Sequence, residues 1–172
     1  MRTVELLLDE AAEPAVLDAW RRLADAGLPS QARHRSPTNR PHLTLAACPE
    51  LTAPIRWELT EVAADLPLPV RFTGVIRFER PTSVLAWSLE LDSALADLHR
   101  RVWEAVASDS PPETLSPFHS PESWNAHITL GRTRRAGRPR SVPVRSPTSR
   151  GDTSTTPCAP GPSRTCPAGS SR

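Results

Sequence analysis

The chain of 172 residues lacks several features that define other classes of protein. It has no apolar run as long as a membrane span, and acidic residues interrupt its N-terminal segment, so we expect neither a signal peptide nor a membrane protein. Its three cysteines form no C-x-x-C pair and no metal-ligand spacing, which suits a reducing cytoplasm. A glycine-rich phosphate loop, a Walker motif, a nucleophile elbow and an H-E-x-x-H motif are also absent.

Large apolar side chains are missing from one end of the chain. Between Thr133 and Arg172 there is no Leu, Ile, Phe, Met or Trp, so this segment cannot bury enough surface to offset its ordering entropy. We predict a disordered Arg/Pro/Ser-rich tail over residues 132–172. This tail carries nine Arg and one acid, so within a whole-chain charge of +2 about −6 falls on residues 1–131. The tail is either a solvated extension or a non-specific attractor of nucleic acid.

Residues 1–131 contain one supersecondary unit twice. Each copy has a strand, a helix, a polar loop and a second strand that begins with a histidine. The copies place these elements at 3–9, 13–27, 28–41 and 42–48, and at 85–92, 93–108, 109–125 and 127–130. A helix that starts near Thr52 and a strand over 70–79 lie between them. The repeat predicts an α+β fold of two lobes, with β-α-β units related by a pseudo-two-fold axis.

The strand that ends each copy carries the same polar pair. Residues two apart in a strand face the same way, so His42 and Thr44 share one face, as do His127 and Thr129. If the axis relates the lobes, the two faces meet in a central cleft above an apolar core. One H-x-T tripeptide would carry little information, because a lone histidine usually lies on a wet face. Two copies at the same point of a repeat indicate a site.

Two imidazoles with an ordinary pKa of about 6.5 suit general acid–base catalysis at neutral pH. Threonine hydroxyls can donate to phosphate oxygens as charge develops there. The residues alone do not assign acid and base. Neither motif has a third ligand at metal spacing, so we expect no metal and no cofactor.

Three further residues are weaker candidates for substrate binding. Arg40 and Arg132 could contact a phosphate or could be solvated. Trp124 could stack on a base or pack against its own loop. The remaining histidines, at positions 34, 99 and 119, are expected to be ordinary surface residues.

The segments Pro41-His42-Leu43-Thr44-Leu45 and Ala126-His127-Ile128-Thr129-Leu130 resemble the paired H-x-T-x motifs of the two-histidine phosphoesterase superfamily. Within it, residues 1–132 are most similar to the bacterial 2′,5′-RNA ligase or RNA 2′,3′-cyclic phosphodiesterase proteins. The resemblance implies a bilobal α+β fold and a hydrolase of RNA processing that opens 2′,3′-cyclic phosphates to 2′-phosphates. It also allows reversible 2′,5′ ligation. It implies His42 and His127 as the catalytic pair and Thr44 and Thr129 as phosphate binders. The expected substrates are RNA ends or small cyclic nucleotides, acted on by a cytoplasmic monomer.

The chain departs from the family pattern in two places. Ala126 stands where family members often have proline. The family normally continues after the second motif with a helix and strands, whereas here the Arg-rich tail follows Gly131-Arg132. We therefore expect an incomplete second lobe, with the His127 strand at an exposed edge, and hypothesise that the tail is read out of frame or replaces the natural C-terminus. The alternative function is a module that binds a nucleotide or RNA end with weak or no turnover.

Overall fold

The structure is a computed structural model that describes residues 1–79 and 82–133. Its helices and strands are β1 (Arg2–Leu7), α1 (Glu13–Asp25), β2 (His42–Cys48), α2 (Ala53–Ala63), β3 (Phe72–Phe78), β4 (Ser83–Leu89), α3 (Ser93–Ser108) and β5 (His127–Thr133). The mixed α+β fold is confirmed. The last strand runs two residues into the segment assigned to the tail, and the rest of the tail lies outside the described residues. No helix in the described part of the chain is long and apolar enough to cross a bilayer.

Local sequence signals explain where the helices begin and end. The Thr52 hydroxyl accepts from the backbone N–H of Ile55 at 3.5 Å, and the Asp92 carboxylate accepts from Leu95 N–H at 2.8 Å. Both bonds satisfy N–H groups that a helix start leaves without a partner. At the other end of α1, Gly27 has a φ of 73°, a left-handed conformation that glycine adopts without steric cost.

The five strands form one antiparallel sheet in the order β1-β2-β5-β4-β3. The predicted edge position of the His127 strand is therefore wrong, because β5 is the central strand. Both of its neighbours, β2 and β4, precede it in the chain, so no strand beyond Thr133 is needed to cover it.

The two copies of the repeat also share an irregularity of the backbone. In each copy the register of the antiparallel pair shifts by one residue directly after the motif threonine. The shift leaves Leu45 without a partner in β1 and Leu130 without a partner in β4. Such bulges re-aim the chain and are frequent beside active sites. The two motifs thus share sequence, strand pairing and bulge.

One face of the sheet lies against the helices. Leu43, Leu45, Ile128 and Leu130 are at most 2% exposed and form one apolar core with side chains from all three helices. The predicted apolar side beneath the motifs is confirmed, and His42, Thr44, His127 and Thr129 are left on the opposite face.

Candidate active site

Strand pairing brings the four motif residues together. Leu43 of β2 lies opposite Ile128 of β5 in an antiparallel pair. The motif residues flank this pair on both strands, and His42, Thr44, His127 and Thr129 all line one cavity. The two histidines and two threonines thus form one compact group in the middle of the sheet.

Both imidazoles are oriented in the same way. Nδ1 of His42 lies 2.7 Å from the carbonyl oxygen of Arg40, and Nδ1 of His127 lies 2.7 Å from the carbonyl oxygen of Asn125. A carbonyl can only accept, so each Nδ1 carries the proton and donates. Each neutral ring therefore keeps Nε2 as an acceptor, and each protonated ring has Nε2–H as a donor. This tautomer is the one that a proton-transferring histidine needs.

The surroundings of the two rings differ. His127 lies against Phe78, with ring centroids 4.7 Å apart. Burial lowers the pKa of His127, the hydrogen bond to the Asn125 carbonyl opposes part of this effect, and the nearby charges of Arg132 and His42 lower the pKa further. At neutral pH the His127 ring is therefore neutral.

His42 instead has a carboxylate beside it. Its Nε2 lies 3.8 Å from Oε1 of Glu5, and the two side chains are 23% and 33% exposed, so the pair is partly shielded from solvent. Glu5 lies opposite Thr44 in the β1–β2 pair. Sequence reasoning missed Glu5, because its only signal is strand pairing over a long stretch of chain.

Two cavities meet at the motif residues and share His42, Thr44 and Arg132. The cavity beside His127 measures about 310 Å³ and has an aromatic wall formed by Phe78, Phe118 and Trp124. The cavity beside His42 measures about 670 Å³ and is lined mainly by polar residues of the loop between α1 and β2. The site is therefore a groove with one aromatic and one polar arm.

Of the two arginines considered for substrate binding, Arg132 lines the groove and Arg40 does not. Arg132 lines both cavities. The Arg40 guanidinium is paired with Glu13 through bonds of 3.0 and 2.6 Å and lines neither of these cavities. Arg40 contributes to the site through its backbone carbonyl, which orients His42.

The Trp124 side chain is packed in the interior, although it also lines the cavity beside His127. It is 7% exposed, and its ring is stacked on His99 with centroids 3.8 Å apart and planes 5° from parallel. Its indole N–H donates to the carbonyl of Thr44 at 3.0 Å. One face of the ring is thus already occupied, and its use as a stacking platform for a base stays a prediction.

Two of the three histidines expected at the surface are placed differently. His99 is 2% exposed, because it follows Leu95 by four residues on the buried stripe of α3, and its Nε2 lies 3.1 Å from the Leu45 carbonyl. His119 is half-buried and lines the cavity beside His127. Burial lowers the pKa of His119, and the charge of His127 adds to this effect. Only His34 is exposed as expected.

Within residues 1–79 and 82–133, no group of three or more His, Cys, Asp or Glu side chains is arranged to hold a metal ion. The site brings together two imidazoles, two hydroxyls and one guanidinium. This set suits the cleavage or formation of a phosphate ester.

The fold and the paired motifs define the class of two-histidine phosphoesterases, which confirms the family resemblance. The family model of the 2′-5′ RNA ligase superfamily matches residues 8–142, and the chain belongs to this superfamily. Two solved structures of Usb1 from Kluyveromyces marxianus are similar to it. The one with uridine monophosphate has a TM-score of 0.45 and 18% identity, covering 76% of this chain and 68% of that chain. The other has a TM-score of 0.41 and 15% identity over the same shares. No curated protein matches the chain.

Proposed function

We propose that this protein is a metal-independent RNA 2′,3′-cyclic phosphodiesterase that opens cyclic phosphate ends to 2′-phosphates, with a related 2′,5′-RNA ligase activity in which a 5′-hydroxyl takes the place of water as the nucleophile. The observation that carries the proposal is the matched orientation of His42 and His127, whose Nδ1 atoms both donate to backbone carbonyls. Both Nε2 atoms are thereby left for proton transfer. Membership of the superfamily supports the same reaction class.

The different surroundings of the two rings support one assignment of their roles. His127 is the general base, because burial and the positive charge of Arg132 keep its ring neutral. His42 is the general acid in this scheme, and the Glu5 carboxylate lies 3.8 Å from the Nε2 atom that donates the proton. Each role is typically worth about 10²–10⁴ in rate.

The reaction then needs one bond to form and one to break. A water oxygen attacks phosphorus while Nε2 of His127 takes the water proton. The bond between phosphorus and the 3′ oxygen breaks, and Nε2–H of His42 donates its proton to that oxygen. The products are a 2′-phosphomonoester and a free 3′-hydroxyl, so the protein gains a proton at one histidine and loses one at the other.

The remaining groups of the site stabilise the charge on phosphate. The hydroxyls of Thr44 and Thr129 lie on the same face as the imidazoles and are the donors for the non-bridging oxygens. Arg132, which lines both arms of the groove, supplies a fixed positive charge.

An RNA oligomer that ends in a 2′,3′-cyclic phosphate, incubated with the protein in excess EDTA, tests the proposal. We expect a 2′-phosphate product and a large loss of rate in His42→Ala and in His127→Ala. Glu10→Ala is the control, because this residue is exposed and lines neither cavity of the groove.

Three results would contradict the proposal: a rate abolished by EDTA, a 3′-phosphate product, or His42→Ala and His127→Ala variants as active as Glu10→Ala. An inert wild type that still binds the nucleotide would favour the alternative of a binding module.

A further inference from the structure

The two motif strands, β2 and β5, are paired over a very short stretch. β1 and β2 share six register pairs, and so do β4 and β5. Between β2 and β5 there is a single pair, Leu43 with Ile128. Backbone hydrogen bonds therefore fix each motif strand within its own copy of the repeat. The single pair between the copies does little to fix the distance between β2 and β5, on which the spacing of His42 and His127 depends.

Two indole hydrogen bonds cross this junction in opposite directions. Trp20 of α1, in the first copy, donates from Nε1 to the carbonyl of Thr129 in the second copy at 3.0 Å. Trp124, in the second copy, donates from Nε1 to the carbonyl of Thr44 in the first copy at 3.0 Å. Both side chains are buried, at 3% and 7% exposure. Each motif threonine is thus held through its backbone by a tryptophan from the other copy.

We propose that Trp20 and Trp124 are positioning residues, which hold the two motif strands at the separation that lets His42 and His127 act on one phosphate. The activity part of this inference rests on the proposed function. The geometric part rests only on the two hydrogen bonds and the single register pair.

Both tryptophans are themselves held in place. The ring of Trp124 is stacked on His99, whose Nε2 lies 3.1 Å from the carbonyl of Leu45, the bulged residue after Thr44. The hydroxyl of Ser30 donates to the backbone carbonyl of Trp20 at 2.5 Å. An indole fixed in this way holds the strand that it contacts at a set distance from the helix or loop that carries the tryptophan.

The chain offers a matched control for removing an indole N–H. Trp87 is 2% exposed, and its Nε1 is buried without a hydrogen-bond partner. Trp87→Phe therefore removes the same atoms from the core as Trp20→Phe and Trp124→Phe, but breaks no hydrogen bond. Any effect of lost volume appears in all three variants, whereas an effect of lost positioning appears in two.

The first readout is the rate on a cyclic-phosphate RNA, measured below the melting temperature of every variant. We expect kcat to fall by up to about 10²-fold in Trp20→Phe and in Trp124→Phe, the loss that a misplacement of about 1 Å produces. KM should change much less, and Trp87→Phe should keep the wild-type kcat. Equal kcat in all three variants would overturn the inference.

The second readout does not depend on activity. NMR titration follows the imidazole protons of His127, whose pKa depends on its burial and on the charges of Arg132 and His42. A changed separation of the strands moves this titration in Trp20→Phe and Trp124→Phe and leaves it in place in Trp87→Phe. If the wild type is inert the proposed function fails, but this titration still decides whether the tryptophans position the histidines.

A benzothienylalanine at position 20 or 124 covers the case in which a phenylalanine variant does not fold. It replaces the indole N–H by sulfur and keeps the size of the ring, so only the hydrogen bond is lost. An unchanged titration and an unchanged rate in this variant would contradict the inference as directly as the phenylalanine series.

Discussion

Gly131 lies where β5 passes close to the segment after α1, and one methyl group added at this position should destabilise the fold. An ideal Cβ at residue 131 would lie 2.1 Å from the carbonyl oxygen of Pro29 and 2.7 Å from its carbonyl carbon. Both atoms are backbone and cannot rotate away. In Gly131→Ala, either β5 or the segment at Pro29 must therefore move.

Overpacking of this kind costs about 1–3 kcal/mol, and we place Gly131→Ala near the upper end, because no flexible side chain can yield. A loss of about 3 kcal/mol would lower the melting temperature of a domain of this size by roughly 10 °C. Urea unfolding measures the free energy directly. Gly74→Ala is the matched control, because a Cβ there has no atom within 4 Å.

The same displacement should also lower the rate of the proposed reaction. β5 carries His127 and Thr129, so a shift of this strand against β2 misplaces His127 relative to His42, and under the proposed function a displacement of about 1 Å costs about 10²-fold in rate. The reasoning is refuted if Gly131→Ala unfolds within about 0.5 kcal/mol of Gly74→Ala, the usual range for a harmless substitution.

Three further predictions concern charge. If His127 is the base, the rate falls as it takes up a proton, at a pH below the ordinary value of 6.5, and Arg132→Gln shifts this fall to higher pH in a pH–rate profile. Burial also lowers the pKa of His99, so between its folded and unfolded values the unfolded chain binds more protons and stability is lost as the pH falls. Urea unfolding at about pH 5 and pH 7 should show this loss, reduced in His99→Gln. Arg40→Gln should keep the rate and the melting temperature, since this guanidinium pairs with Glu13 outside the groove, and a lost rate would show that it reaches the substrate.

Features encoded in short stretches of sequence could be predicted. The start of β2 at His42 and the bounds of α3 at Ser93 and Ser108 follow from apolar periodicity and agree with the structure. Thr52 as a helix cap and Gly27 as a helix stop also follow from local chemistry. The ends of other elements differ by about two residues, because fraying and bulges depend on neighbouring strands.

Features that depend on pairing over long distances could not be predicted. The central position of β5 depends on β2, which lies some eighty residues earlier, and no local pattern states which strands become neighbours. For the same reason the sequence does not reveal Glu5, and it leaves open whether the Arg40 side chain contacts a phosphate, whereas in the structure Glu13 holds this side chain outside the groove. His99 is a different case, since its helical spacing put it on the buried stripe and only its polar character argued against burial.

In the proposed mechanism the two equal motifs have unequal roles, and the repeat offers a reason for the difference. Both copies share the histidine oriented by a carbonyl, the threonine held by an indole, and the bulge that follows. They differ at the strand position opposite the threonine, where Glu5 faces Thr44 in the first copy and Ala86 faces Thr129 in the second. The first histidine therefore has a carboxylate 3.8 Å from its Nε2, whereas the pKa of the second is lowered by burial and by the charge of Arg132. The repeat thus supplies two rings oriented in the same way, and in the proposed mechanism the residue opposite each motif threonine is what distinguishes the acid from the base.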